Sequence, residues 1–204
     1  MLYSYLLGVL LLGGPGDDGV DRSEEFWTPS TPNLSCVLPD LPEEMSWGPT
    51  VNVVSGHLVV CHRGACFIYN DGSWRHLQNM TEDRIWQSSA TTSDAVLLLG
   101  GYHFSSGAGN IVTTELVPVD GSSAFKGPFE IQHGWDHCTI QVSEDTLVLT
   151  GGRYTTSMVT ENTMEGNKRN MTNLLQGRAG HACSMYVVNE ERVSCFSLKK
   201  FGLK

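Results

Sequence analysis

The chain has 204 residues, enough for one good-sized domain or two small ones. An apolar content of 40%, a charged content of only 17% and 22 glycines suit a globular, turn-rich protein and argue against disorder. A net charge of −9 with no basic patch argues against nucleic acid and anionic membrane surfaces as partners.

The N-terminus reads MLYSYLLGVLLLGG, almost wholly apolar from Leu2 to Leu12. Such a run is shorter than the roughly 20 residues of a membrane-spanning helix. It suits the apolar core of a secretory leader, so residues 1–14 are expected to be a signal peptide. The next stretch is rich first in Gly and Asp and then in Pro, which reads as an extended lead-in over residues 15–44.

Short strands are predicted from Met45 onward. TVNVVSG, HLVVCH, ACFIYN and WRHLQNM follow one another, parted by SG, RG and NDGS. Asn-Asp-Gly between apolar runs is a strong hairpin signal. WQSSATTS and AVLLLGG make the next pair, and IVTTELVPV is β-branched and alternating. HCTIQVS and TLVLTGG repeat the earlier pair, and HACSMYVV and RVSCFSL come last. No segment sustains helical periodicity. The chain reads as all-β.

A phrase recurs. DAVLLLGGYHFSS starts at Asp94 and EDTLVLTGGRYTT at Glu144, with Gly100 and Gly151 51 positions apart. Trp86 lies 14 positions before Gly100 and His137 lies 14 before Gly151, so the unit is strand, two-residue turn, strand, Gly-Gly. GRAGHACSMYVV starts the unit again, with His181 in the part of His137, 44 positions on. Periods of this size fall where the units of β-propellers fall, about 40–50 residues. Adjacent glycines at the end of an inner strand make room for a neighbouring unit and accept φ > 0.

These phrases resemble the kelch repeat family. The matching pieces are Gly100–Gly101, Gly151–Gly152, the Tyr69 to Trp74 hairpin YNDGSW, and GRAGHA at 177–182. The resemblance implies a kelch-type β-propeller fragment over residues 45–204, about three four-stranded blades plus a truncated hairpin. Phe125 and Phe129 stand in for the Tyr and Trp of one unit, and CHRGAC replaces Gly-Gly in the first. So few units would need completion by missing sequence or by self-association.

Three sequons, at Asn33, Asn79 and Asn170, mark expected N-glycosylation sites. Six cysteines suit an oxidising compartment, with Cys61 and Cys66 close enough to bridge across a tight connection. The pairing of Cys36, Cys138, Cys183 and Cys195 stays open. Secretion or display at the cell surface follows from these features together.

The search for chemistry returns little. His133 and His137 are four apart, but on a strand, where that spacing does not converge on a metal. SSGAGN at 105–110 lacks the Lys and the helix of a phosphate loop, and Asp17, Asp18 and Asp21 lack the other ligands of a calcium loop. No cofactor, metal or catalytic residue is expected. The expected function is non-catalytic protein binding through the loops after the double glycines, at Tyr102, His103, Phe104, Arg153 and Tyr154, because aromatics and Arg favour contact sites. The resemblance also implies two alternatives, an intracellular adaptor for ubiquitin ligation and an enzyme on a kelch-like propeller.

Overall fold

A computed structural model describes residues 9–16, 19–27, 39–43, 45, 48–105, 109–188 and 192–198. Among these residues every regular element is a β-strand. Strands β1 (Val9–Gly16) and β2 (Gly19–Trp27) form an antiparallel pair. The extended lead-in expected over residues 15–44 includes β2. An apolar run followed by Gly and Asp is a hairpin signal as much as a linker signal, and here the first reading prevails. Asn33 and Cys36 lie outside the described residues.

Three four-stranded antiparallel sheets follow. The first is β3 (Thr50–Val54), β4 (His57–His62), β5 (Ala65–Asn70) and β6 (Ser73–Asn79). A two-residue strand, β7 (Arg84–Ile85), leads into the second sheet. That sheet contains β8 (Ser88–Thr91), β9 (Ala95–Leu99), β11 (Thr113–Pro118) and β12 (Phe125–Glu130), with β10 (Tyr102–His103) paired to β7 beside it. The third is β13 (His137–Gln141), β14 (Thr146–Gly151), β15 (Val159–Thr163) and β16 (Lys168–Asn170). A hairpin, β17 (Ala182–Val188) with β18 (Arg192–Leu198), comes last.

The first strands of successive sheets lie side by side: β3 by β8, β8 by β13, β13 by β17. Apolar layers fill the spaces between sheets. Val54, Val59, Val96, Leu98 and Val117 pack between the first and second, and Leu97, Leu99, Phe129, Leu147 and Leu149 between the second and third. β9 is buried along its whole length because both its faces meet a core, which is why it reads AVLLL without alternation. Full burial of each such side chain stabilises by about 1.5–3 kcal/mol. The result is a β-propeller-like stack of sheets about a common inner edge.

The repeat is visible in the backbone. Gly48, Trp86, Asp136 and Gly180 precede or lie near the start of the first strands, and all have positive φ, at 78°, 55°, 59° and 58°. Asp136 N–H donates to the Trp86 carbonyl at 3.2 Å, and Gly180 N–H donates to the Asp136 carbonyl at 2.8 Å. The third sheet therefore hangs on the second, and the β17–β18 hairpin on the third, by an equivalent bond. This register makes Gln87, not Trp86, the counterpart of His137. The expected alignment slips by one because the β8–β9 turn has three residues, 92–94, and the β13–β14 turn has four, 142–145.

The glycine pairs sit where one unit meets the next. Gly100 and Gly101 have φ of 58° and 111°, and Gly151 and Gly152 have 65° and 108°. Gly101 N–H donates to the Gly134 carbonyl at 3.1 Å, and Gly152 N–H donates to the Arg178 carbonyl at 3.0 Å. A Cβ on Gly100 would stand 2.5 Å from the Gly134 oxygen. One on Gly151 would overlap the Arg178 oxygen, and one on Gly152 the His133 oxygen. The space is taken by the neighbour's main chain and, at Gly100 and Gly151, by the Ile131 and His181 side chains as well.

The Cys61–Cys66 disulfide expected from spacing is present, joining directly paired residues of β4 and β5. A second, Cys138–Cys183, ties β13 to β17. It occupies the position that Ser88 and Thr139 hold one unit earlier, where two hydroxyls meet at 2.6 Å. The hairpin YNDGSW also forms as expected, with the Tyr69 and Trp74 rings edge to face at 5.4 Å. Phe125 and Phe129 make no such pair: Phe129 is in the core and Phe125 is half exposed.

Gly100→Ala and Gly151→Ala should each destabilise the fold by about 2–4 kcal/mol, because each adds a backbone overlap to the positive-φ cost. Gly56→Ala, at φ 79° with open space around it, should cost only about 1 kcal/mol. Urea unfolding of the three variants measures the difference. Replacing Cys138 and Cys183 by Ser should lower stability by about 2–4 kcal/mol, and the shorter Cys61–Cys66 loop should matter less.

Candidate functional site

In an antiparallel meander, the connection from second to third strand and the connection from fourth strand to the next sheet emerge at the same end. That end carries the glycine pairs, β7 and β10, and the segments 80–87, 131–136 and 171–181. The Tyr102–Ile85 pairing and the bond from Phe104 N–H to the Asp83 carbonyl, at 3.1 Å, stitch the two kinds of loop together.

An aromatic cluster forms there. The Trp86 and Trp135 rings stack with centroids 4.7 Å apart and planes 24° apart. Tyr102 meets Trp135 edge to face at 5.8 Å and lies 6.0 Å from Trp86. The Arg153 guanidinium lies over the Trp135 ring at 4.9 Å, and that of Arg63 over the Phe104 ring at 4.1 Å. Such contacts favour the cation near the negative face of the ring. Phe104 and Tyr154 are 42% and 65% exposed. The end thus presents Phe104, Tyr154 and Arg153 to solvent, with Arg63 and the stacked rings half-buried behind them.

Arg84 underlies this rim. It is fully buried and donates to the Gly100 carbonyl at 2.9 Å and the Thr113 carbonyl at 3.2 Å. Its charge is met by Glu115 and Glu82, each at 3.0 Å. Burial lowers its pKa, and the two carboxylates oppose that shift. Glu115 also accepts from the Thr81 amide. Arg84 therefore holds the segment before Trp86 against the first glycine of the pair. A buried charge with its partners kept is tolerable, while removal of one partner costs about 3–5 kcal/mol.

Three histidines line the junctions of the third sheet. His133 is fully buried, with Nδ1 2.7 Å from the Gly151 carbonyl and Nε2 2.8 Å from Thr160 Oγ1. The carbonyl can only accept, so Nδ1 carries the proton and the neutral ring accepts from the Thr160 hydroxyl. His137 Nε2 lies 2.6 Å from Ser88 Oγ, and His181 Nε2 lies 2.9 Å from Thr150 Oγ1. Burial lowers the pKa of all three. His137 is pushed down to about 3, chiefly by desolvation and then by the neighbouring His133. Among the described residues no three His, Cys, Asp or Glu side chains converge as a metal site.

Of the residues expected to bind, Tyr102 and Arg153 join the aromatic cluster, and Phe104 and Tyr154 stand beside it at the same end. His103 is half-buried in β10. Trp86, Trp135 and Arg63 belong with them and were not predicted. Trp135 occupies the place of Ile85 one unit back, so a count of repeat positions could have flagged it. A cavity of about 460 Å³ lies at the other end, between the second and third sheets, lined by Thr91, Gln141, Glu144, Asp145 and Met164 among others. The expected glycosylation sites Asn79 and Asn170 are exposed and end the outer strands β6 and β16.

No protein-family model matches the chain, and no curated protein matches it. Among solved structures, that of YjhT is similar with a TM-score of 0.71 at 11% identity, over 93% of this chain and 81% of that one. At that identity the likeness shows a shared fold alone.

Because the folded state keeps His133, His137 and His181 neutral, the unfolded chain binds more protons below the ordinary histidine pKa of about 6.5. Stability contributed by the neutral rings is full above that pH and falls as pH drops toward 3, the folded value for His137. The slope should approach 1.4 kcal/mol per pH unit for each histidine affected. Urea midpoints at pH 7.5 and pH 5 measure this, and His137→Gln, which copies Gln87 of the previous unit, should flatten the dependence.

Proposed function

We propose that this chain is a non-catalytic protein-binding module built on kelch-type repeats, acting in the secretory or extracellular space. The observation that carries the reading is the rim at the glycine end, where exposed Phe104, Arg153 and Tyr154 stand beside half-buried Trp135, Tyr102 and Arg63. Aromatic and Arg side chains held rigidly by a packed scaffold are the composition of binding hot spots. The rim's residues come from three successive units, so a partner would span the junctions rather than one loop. Two disulfides are consistent with an extracellular protein, since such bonds persist in oxidising compartments. Sequons at Asn79 and Asn170 end outer strands at the same end as the rim, so glycans there would flank it.

The test is a binding screen of the purified chain against cell surfaces and secreted proteins, repeated with rim variants. Arg153→Ala with Tyr154→Ala should weaken capture of any specific partner at least tenfold, about 1.4 kcal/mol or more. Glu144→Ala with Asp145→Ala, at the opposite end, should leave it unchanged. Binding that ignores the rim pair and follows the opposite-end pair would move the site to the cavity beside Gln141.

A further inference from the structure

The phrase VLLLGG occurs twice in the chain, at 9–14 and at 96–101. At the second place it is β9 and the glycine pair, the second strand of a four-stranded sheet. At the first it is most of β1, paired antiparallel with β2 just as β9 pairs with β11. Two residues, 17 and 18, join β1 to β2, and two residues, Arg63 and Gly64, join β4 to β5. In the first sheet His62 holds the place of Gly100, because Cys61 pairs with Thr50 as Leu99 pairs with Ser88. Gly13 precedes His62 by 49 residues, inside the 38 to 51 that separate His62, Gly100 and Gly151.

The first sheet carries a face that such a unit would fit. Val51 and Val53 of β3 point away from the second sheet and are 42% and 66% exposed. Leu41 and Met45 cover the neighbouring Val60 and Phe67 on the same face. The equivalents of Val51 and Val53 in β13 are Thr139 and Gln141. Both face the preceding sheet and bond to it, Thr139 to Ser88 at 2.6 Å and Gln141 to the Thr91 carbonyl at 2.8 Å. In β13 these side chains meet the unit before it, whereas Thr91, at the matching place in β8, bonds forward to Gln141. Two β-branched apolar residues there call for an apolar neighbour.

We propose that residues 9–27 are the second and third strands of a further repeat unit, and that this unit seats on the first sheet at Val51 and Val53. The apolar N-terminal run is then part of the fold. A leader ending at residue 14 would remove most of β1, so the two readings separate cleanly.

The test uses the full 204-residue chain, secreted from a eukaryotic host behind a cleavable heterologous leader. Intact mass and N-terminal peptide mapping should find residues 9–27 retained. Hydrogen exchange should show the amides of 19–27 protected at least about tenfold over an unstructured chain. Val51→Thr with Val53→Thr keeps β-branched side chains and should fold, yet it should speed exchange in 19–27 about tenfold while 146–151 stays unchanged. Processing after residue 14, unprotected amides in 19–27, or protection indifferent to the valine pair would each overturn the proposal. The mass measurement stands whether or not the variant folds.

Discussion

Main chain meets main chain where one sheet joins the next, and the rest of the molecule depends on that contact. The second strands of two sheets end in a glycine pair whose second amide donates to a carbonyl of the segment entering the following sheet. Both glycines are in the left-handed region, and a Cβ at Gly100, Gly151 or Gly152 would run into a backbone oxygen. No larger residue satisfies both demands together. The close approach sets how near the sheets lie, and so sets the thickness of the apolar layers that Leu97, Leu98 and Leu147 fill. Buried leucines supply most of the driving force, but the glycines decide the geometry in which it is collected.

The candidate binding rim is a by-product of the same junction. Tyr102 follows the first pair directly, and Arg153 follows the second. Trp135 comes from the segment that approaches the first pair from the following unit, and Trp86 from the segment that enters that pair's own sheet. Stacking of Trp86 on Trp135 joins two units across the junction, and Arg84 anchors the first of them through the Gly100 carbonyl. The rim is therefore rigid because it is tied to the inter-unit contact. The histidines stand just behind it. His133 bonds to the Gly151 carbonyl, and His181 meets Thr150 next to it, so their neutral state is part of the same seam.

Units repeat in form while their chemistry changes. One position pair is Ser88 with Thr139 at one junction and Cys138 with Cys183 at the next. A weak hydroxyl contact is replaced by a covalent bond at the junction with the β17–β18 hairpin. Cys138–Cys183 could not be paired from spacing, because the two are near only after β13 and β17 lie side by side. Cys61–Cys66 could, because a tight connection of two strands fixes the distance. In the same way, Trp86 and His137 looked equivalent by counting and are offset by one, since turn length varies where nothing packs against the turn.

What the sequence by itself determined was the local vocabulary: short turn-linked strands, two glycine pairs, an aromatic hairpin at Tyr69 and Trp74, and one local disulfide. Each of these rests on forces that act within a few residues, such as alternation, turn chemistry and backbone freedom. Tertiary structure alone decided which residues distant in sequence meet: Trp86 with Trp135, Arg153 with Trp135, and Cys138 with Cys183. Trp86 and Trp135 are 49 residues apart, and Cys138 and Cys183 are 45 apart. Their meeting depends on the spacing of whole sheets, which no local pattern encodes and which the backbone contact at the glycines sets.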